Sequence, residues 1–143
     1  MYKRQVEYLR NQRHQKIVEE IAGERLNYPD ENHPTFETFI NKPNPRMSAG
    51  EINGEAIYPD IVVVRRPGNW LQLIAQIETA DSITEETAIN IWKPYASMGE
   101  LLLYVPTGYV QNTKKLCKKF DISIKGLRTW RYRPVWGLTI VDA

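Results

Sequence analysis

The chain has 143 residues, 42% hydrophobic and 25% charged, with a formal net charge of +2, two histidines and a single cysteine. That length suits one domain built on one hydrophobic core, and the composition rules out an internal disulfide and argues against a zinc cage. The longest apolar runs are far too short to cross a bilayer, and the basic N-terminus lacks the apolar stretch of a secretory signal, so a cytoplasmic location and no membrane partner are expected.

Residues 3–26 are rich in Arg, Gln, Glu and Leu. Val6, Leu9, Ile17, Val18, Ile21 and Ala22 mark an imperfect helical stripe along them. A long N-terminal helix within 1–27 is predicted, ended by the turn signal Asn27-Tyr28-Pro29-Asp30. Residues 27–50 hold Pro29, Pro34, Pro43, Pro45 and Gly50 in a polar background. They read as an irregular connection with a short apolar piece at Phe36–Ile40. Asn53-Gly54 is a hairpin signal, because both central positions of that turn need positive φ. A strand is expected over 56–65, a turn at Pro67-Gly68-Asn69, and a third strand over 70–78.

Ser82-Ile83-Thr84-Glu85 has the form of a capping box. It opens a predicted helix with Ala88, Ile91, Trp92 and Tyr95 on its inner side, where core packing is the commoner reading of the aromatics than base stacking. Leu101–Val105 is a continuous apolar run, as in a buried strand. Residues 108–120 predict an amphipathic helix with Tyr109, Val110, Thr113, Leu116, Cys117 and Phe120 inward and four lysines outward. Cys117 reads as a small core residue. Strand-like stretches at 124–132 and 137–142 close the chain. Strand, helix and strand in succession imply one parallel pair inside a mixed sheet.

Two carboxylates stand out. Asp60 follows Pro59 in the second strand, and Gln76 and Glu78 share a face near the end of the third. The turn at Gly68 folds these strands together, so Asp60 and residues 76–78 become neighbours. Carboxylates that meet at strand ends repel unless a cation lies between them, and their oxygens suit Mg²⁺ or Mn²⁺. Gln76 and Glu78 also lie where the other face of the strand is apolar (Leu71, Leu73, Ala75, Ile77), and polar groups buried there are costly unless paired or metal-bound. A strand-to-helix loop over 78–82 is the plainer alternative.

In this pattern, over roughly 50–133, the chain resembles the PD-(D/E)XK, or restriction-endonuclease-like, nucleases. The resemblance implies an α/β fold with the αβββαβ core of that superfamily, a central mixed sheet flanked by helices, in a single domain over 1–143. It also implies Mg²⁺ or Mn²⁺ held by Asp60 and Glu78, hydrolysis of DNA phosphodiester bonds, and Gln76 positioning water or metal. The superfamily motif ends acidic-x-Lys, and this chain has Gln76-Ile77-Glu78. The resemblance makes Lys93, in the following helix, the substitute charge stabiliser, although Pro94 should kink or end the helix there. Glu24 is the candidate for the extra helical acid of some members. The departure at the lysine keeps a second reading open: an inactive nuclease-fold module for nucleic-acid binding or assembly. A third is an oligomeric scaffold built on the first helix.

Basic residues cluster within Lys3–Lys16, at Lys114, Lys115, Lys118 and Lys119, and over 125–133. A solvated face is the more economical reading of each. Arg128, Trp130 and Arg131 are nonetheless candidates for nucleic-acid contact, since Arg and aromatic faces hold phosphates and stack on bases. A homodimer interface would be enriched in the same residue types. His14 and His33 stand isolated and read as structural or exposed.

Overall fold

The structure, a computed structural model, describes residues 2–133 and 136–143, with side chains from residue 10 onward. The side chains of Lys3, Arg4, Val6 and Leu9 lie outside the described residues.

Helix α1 spans Tyr2–Arg25. Ile17, Val18, Ile21 and Ala22 recur on one side of it and are buried, together with Leu26, against Ile61, Ala75, Ile77, Leu102 and Tyr104. That stripe lays α1 across one face of a six-stranded sheet of order β1-β4-β5-β6-β7-β8. Its strands are β1 (Phe36–Ile40), β4 (Ile61–Arg65), β5 (Trp70–Ile77), β6 (Leu101–Pro106), β7 (Gly126–Arg133) and β8 (Gly137–Asp142). The pairs β5·β6 and β6·β7 are parallel and the other three antiparallel. β2 (Gly50–Ile52) and β3 (Glu55–Ile57) form a separate hairpin.

The opposite face is covered by α2 (Glu85–Thr87), a π-helical turn (Ala88–Trp92), α3 (Lys93–Met98) and α4 (Val110–Lys119). Leu101–Val105 of β6 is buried throughout, as a strand covered on both faces must be. Its side chains alternate: Leu102 and Tyr104 join the α1 cluster, and Leu101, Leu103 and Val105 join Trp92, Ala88 and Cys117. Lys114, Lys115, Lys118 and Lys119 are exposed, as their spacing on α4 predicts.

Several expectations are corrected. Phe36–Ile40 is a strand of the main sheet, paired along its length with β4. The strand expected over 56–65 is broken at 58–60, where Pro59 has no N–H to give a ladder. Asn53-Gly54 does turn a hairpin as expected, with positive φ at both residues, but that hairpin is the separate β2·β3 pair. Thr84, not Ser82, caps the helix, its hydroxyl accepting the Thr87 N–H at 3.2 Å. The helix then widens into a π turn in which the Lys93 N–H bonds Ala88 O. Pro94 follows directly and has no N–H to continue the ordinary ladder. Two parallel pairs occur where one was expected. The molecule is thus a mixed α/β fold, and no helix among the described residues is long and apolar enough to cross a membrane.

Candidate active site

Asp60 and Glu78 meet where β4 begins and β5 ends, beside the carboxyl end of β6. Sites in sheets with parallel strands gather outside such ends. Asp60 is 2% exposed and Glu78 4%. Few acidic residues are buried so deeply without partners, and nearly every partner can be named.

Glu78 is fixed at four points. Its N–H donates to Tyr104 O at 2.8 Å, extending the parallel β5·β6 ladder by one bond. Its carbonyl accepts the Trp130 indole N–H at 3.0 Å, Oε1 accepts the Trp92 indole N–H at 3.1 Å, and Oε2 accepts the Ser82 hydroxyl. Burial pushes the Glu78 carboxyl above the ordinary range. The hydrogen bonds from Ser82 and Trp92 oppose that, the charge of Asp60 adds to it, and His14 opposes it.

Asp60 is held by its main chain: its N–H donates to Gln76 Oε1 at 3.1 Å and its carbonyl accepts the Asn41 N–H at 3.0 Å. Oδ2 accepts the Ile77 N–H at 2.9 Å. Oδ1 is buried and has no hydrogen-bond partner. A buried carboxylate oxygen left bare costs about 1–3 kcal/mol or more, so it calls for a cation or a proton. Gln76 acts as a clamp on the main chain of Asp60, and that bond fixes which end of its amide is oxygen.

His14, read as isolated, belongs to the site. Its Nε2 lies 2.9 Å from Ile77 O and 3.3 Å from Asp60 Oδ2. A carbonyl only accepts, so Nε2 carries the hydrogen. Burial disfavours the charged imidazole, but the hydrogen bond to Asp60 and its charge outweigh that and raise the His14 pKa above 6.5. The signal was present in the sequence: His14, Ile17, Val18 and Ile21 stand at i, i+3, i+4 and i+7, so the histidine faces the sheet with the buried stripe.

Tyr95 packs inward, as its spacing predicts. It stands three positions after Trp92 and is half-buried against the same cluster. Burial, then the charges of Asp60 and Glu78, push its phenol above the ordinary value. Lys93 is exposed, at the junction of the π turn and α3. Glu24 is exposed and ten residues beyond His14, about 15 Å along the helix axis. Strand alternation sets Arg131 apart from the other two nucleic-acid candidates. Trp130 bonds the Glu78 carbonyl, and Arg128, two residues before it on the same face of β7, bonds the Tyr104 hydroxyl and Asp142. Arg131 lies on the opposite face, lining a depression with Thr129 and Arg133.

Among the described residues no three His, Cys, Asp or Glu side chains converge as a metal cage. A cation here would rest on two carboxylates, with water completing its shell, which suits Mg²⁺ or Mn²⁺ and their hard oxygen ligands. The bare Asp60 Oδ1 fits that role, and each Glu78 oxygen keeps a lone pair beyond its hydrogen bond. Comparison of the chain with protein-family models, curated proteins and solved structures finds no match.

Proposed function

We propose that this chain is a metal-dependent nuclease of restriction-endonuclease-like fold, hydrolysing phosphodiester bonds of DNA. One observation carries the reading: Asp60 Oδ1 is a buried carboxylate oxygen with no partner, beside a second buried carboxylate whose proton affinity it raises. The order of α1, β1, β4, β5, helix and β6 supports it, since the meander β1-β4-β5 precedes the crossover to β6.

Asp60 and Glu78 would hold Mg²⁺ or Mn²⁺, which when bound lowers the pKa of a coordinated water and withdraws charge from phosphoryl oxygens. The chain's own residues do the rest. Trp92 and Ser82 fix both oxygens of Glu78, Gln76 and Asn41 fix the main chain of Asp60, and the site is assembled without reorganisation. His14 keeps Nδ1 as its remaining ring nitrogen, a group able to exchange a proton with water at the site.

A non-catalytic nuclease-fold module is the second reading. One observation favours it: the His14 N–H already bridges Ile77 O and Asp60 Oδ2, which compensates part of the buried charge with no metal. Calorimetric titration of the protein with Mn²⁺, paired with a plasmid-nicking assay, separates the two. The nuclease reading expects binding and nicking, both lost in Asp60→Asn and Glu78→Gln. Absence of Mn²⁺ and Mg²⁺ binding at millimolar concentration would overturn it.

A further inference from the structure

Carboxylates repel a phosphodiester, and no lysine or arginine among the described residues makes an ion pair with Asp60 or Glu78. Cations reach this end of the sheet on the loop after β1. Asn41, 3% exposed, is its anchor. The Asn41 Nδ2 donates to Pro59 O at 2.7 Å and Met47 O at 2.9 Å, and its Oδ1 accepts the N–H groups of Arg46 and Met47 at 2.8 and 2.9 Å. Its own N–H bonds Asp60 O at 3.0 Å. One buried amide thus ties loop 41–47 to the two residues that set the position of the Asp60 carboxylate.

The loop presents Lys42 and Arg46, both exposed and neither in an ion pair among the described residues. By contrast Arg10 pairs with Asp81, and Arg25 and Arg128 share Asp142. Lys42 and Pro43 face Asn11, His14 and Gln15 of α1 across a cleft of about 310 Å³. His14, one wall of that cleft, contacts Asp60. A second depression of about 240 Å³, lined by Arg46, Asn44 and the acidic Glu19 of α1, shares Lys42 and Pro43 with the first.

We propose that the cleft between α1 and loop 41–47 is where the phosphate backbone of the nucleic acid enters, with Lys42 pairing with a phosphate next to His14 and Arg46 with one further along. The proposal rests on the nuclease reading and deepens it. It supplies the cation that the Gln76-x-Glu78 motif lacks. Asn11 lines the same cleft with its amide, whereas the Gln15 amide donates to Glu19 Oε1 at 3.1 Å along the helix. Contacts of this kind position a strand without reading its sequence, so little base preference is expected from them.

Fluorescence anisotropy with a labelled DNA duplex, in EDTA so that cleavage does not intervene, tests this on the whole chain. Lys42→Ala should weaken binding on the order of tenfold and lower the magnitude of the log–log salt slope by about 1. Lys42→Arg should restore both, and the exposed Lys114→Ala on α4 should change neither. If the wild type binds DNA and Lys42→Ala and Arg46→Ala match it in affinity and slope, the cleft is overturned while the nuclease reading stands. A wild type that binds no DNA at low salt, in EDTA or in Mn²⁺, removes the nuclease reading and this inference together.

Discussion

At the level of single residues the site is defined by uneven satisfaction. Glu78 has a donor on each oxygen, whereas Asp60 has both its partners on Oδ2 and none on Oδ1. A ligand that binds only the folded state at ten times its dissociation constant adds about 1.4 kcal/mol of stability. Mn²⁺ should accordingly raise the wild-type melting temperature by a few degrees, and Asp60→Asn should abolish the rise; differential scanning calorimetry checks both. Without metal, proton linkage takes over. The His14 pKa is raised above 6.5 and that of Glu78 above 4.5, so the folded state holds both protons more tightly than the unfolded chain. The His14 contribution is fully present below 6.5 and is lost as pH rises through its folded value; the Glu78 contribution behaves likewise from 4.5 upward. Urea midpoints in EDTA should fall with rising pH across both windows. His14→Asn should flatten the upper one and extend the lower one, since it removes a charge that holds the Glu78 pKa down.

Among the elements, the helical segment opposite α1 carries most of what the sequence concealed. Capping chemistry announced its start within two residues, and the inward set Ala88, Ile91, Trp92 and Tyr95 packs as its spacing implied. The π turn did not show, because it coincides with the missing N–H of Pro94 and with a tertiary bond from Trp92 to Glu78. Neither is a property of local periodicity. α1 is the converse case: its apolar stripe was legible, and His14 sits on that stripe, yet a lone polar residue on an apolar face gives no hint of its partner across the sheet. Trp92 joins the core to the site, being fully buried and also a donor to Glu78 Oε1. Trp92→Phe keeps most of the apolar volume and deletes the donor. Its expected cost is about 1–3 kcal/mol by urea denaturation, together with a higher Glu78 pKa.

For the whole molecule, the core strands β4, β5 and β6 were written as apolar runs, and the two carboxylates at their ends could be paired from the turn at Gly68. Strand β1 escaped notice because its five residues are all only half-buried at the sheet edge, between stretches dense in proline. The same gradient from centre to edge sets local stability. Ile61–Val64, Ile74, Ala75, Ile77 and Leu101–Val105 are buried and flanked by paired strands, so their amides open only when the domain does. β8 has a partner on one side, and Val141 and Asp142 are exposed. Native-state hydrogen exchange should place β4–β6 amides at the global unfolding free energy and β8 well below it. The Glu78 N–H, bonded to Tyr104 O at the end of β6, should exchange with the central group. A slow Glu78 amide beside a fast β8 would show the site resting on the most rigid part of the sheet, as electrostatic preorganisation requires. If the Glu78 amide exchanged as fast as those of β8, the two carboxylates would not be held in one geometry, and their pairing would be incidental to function.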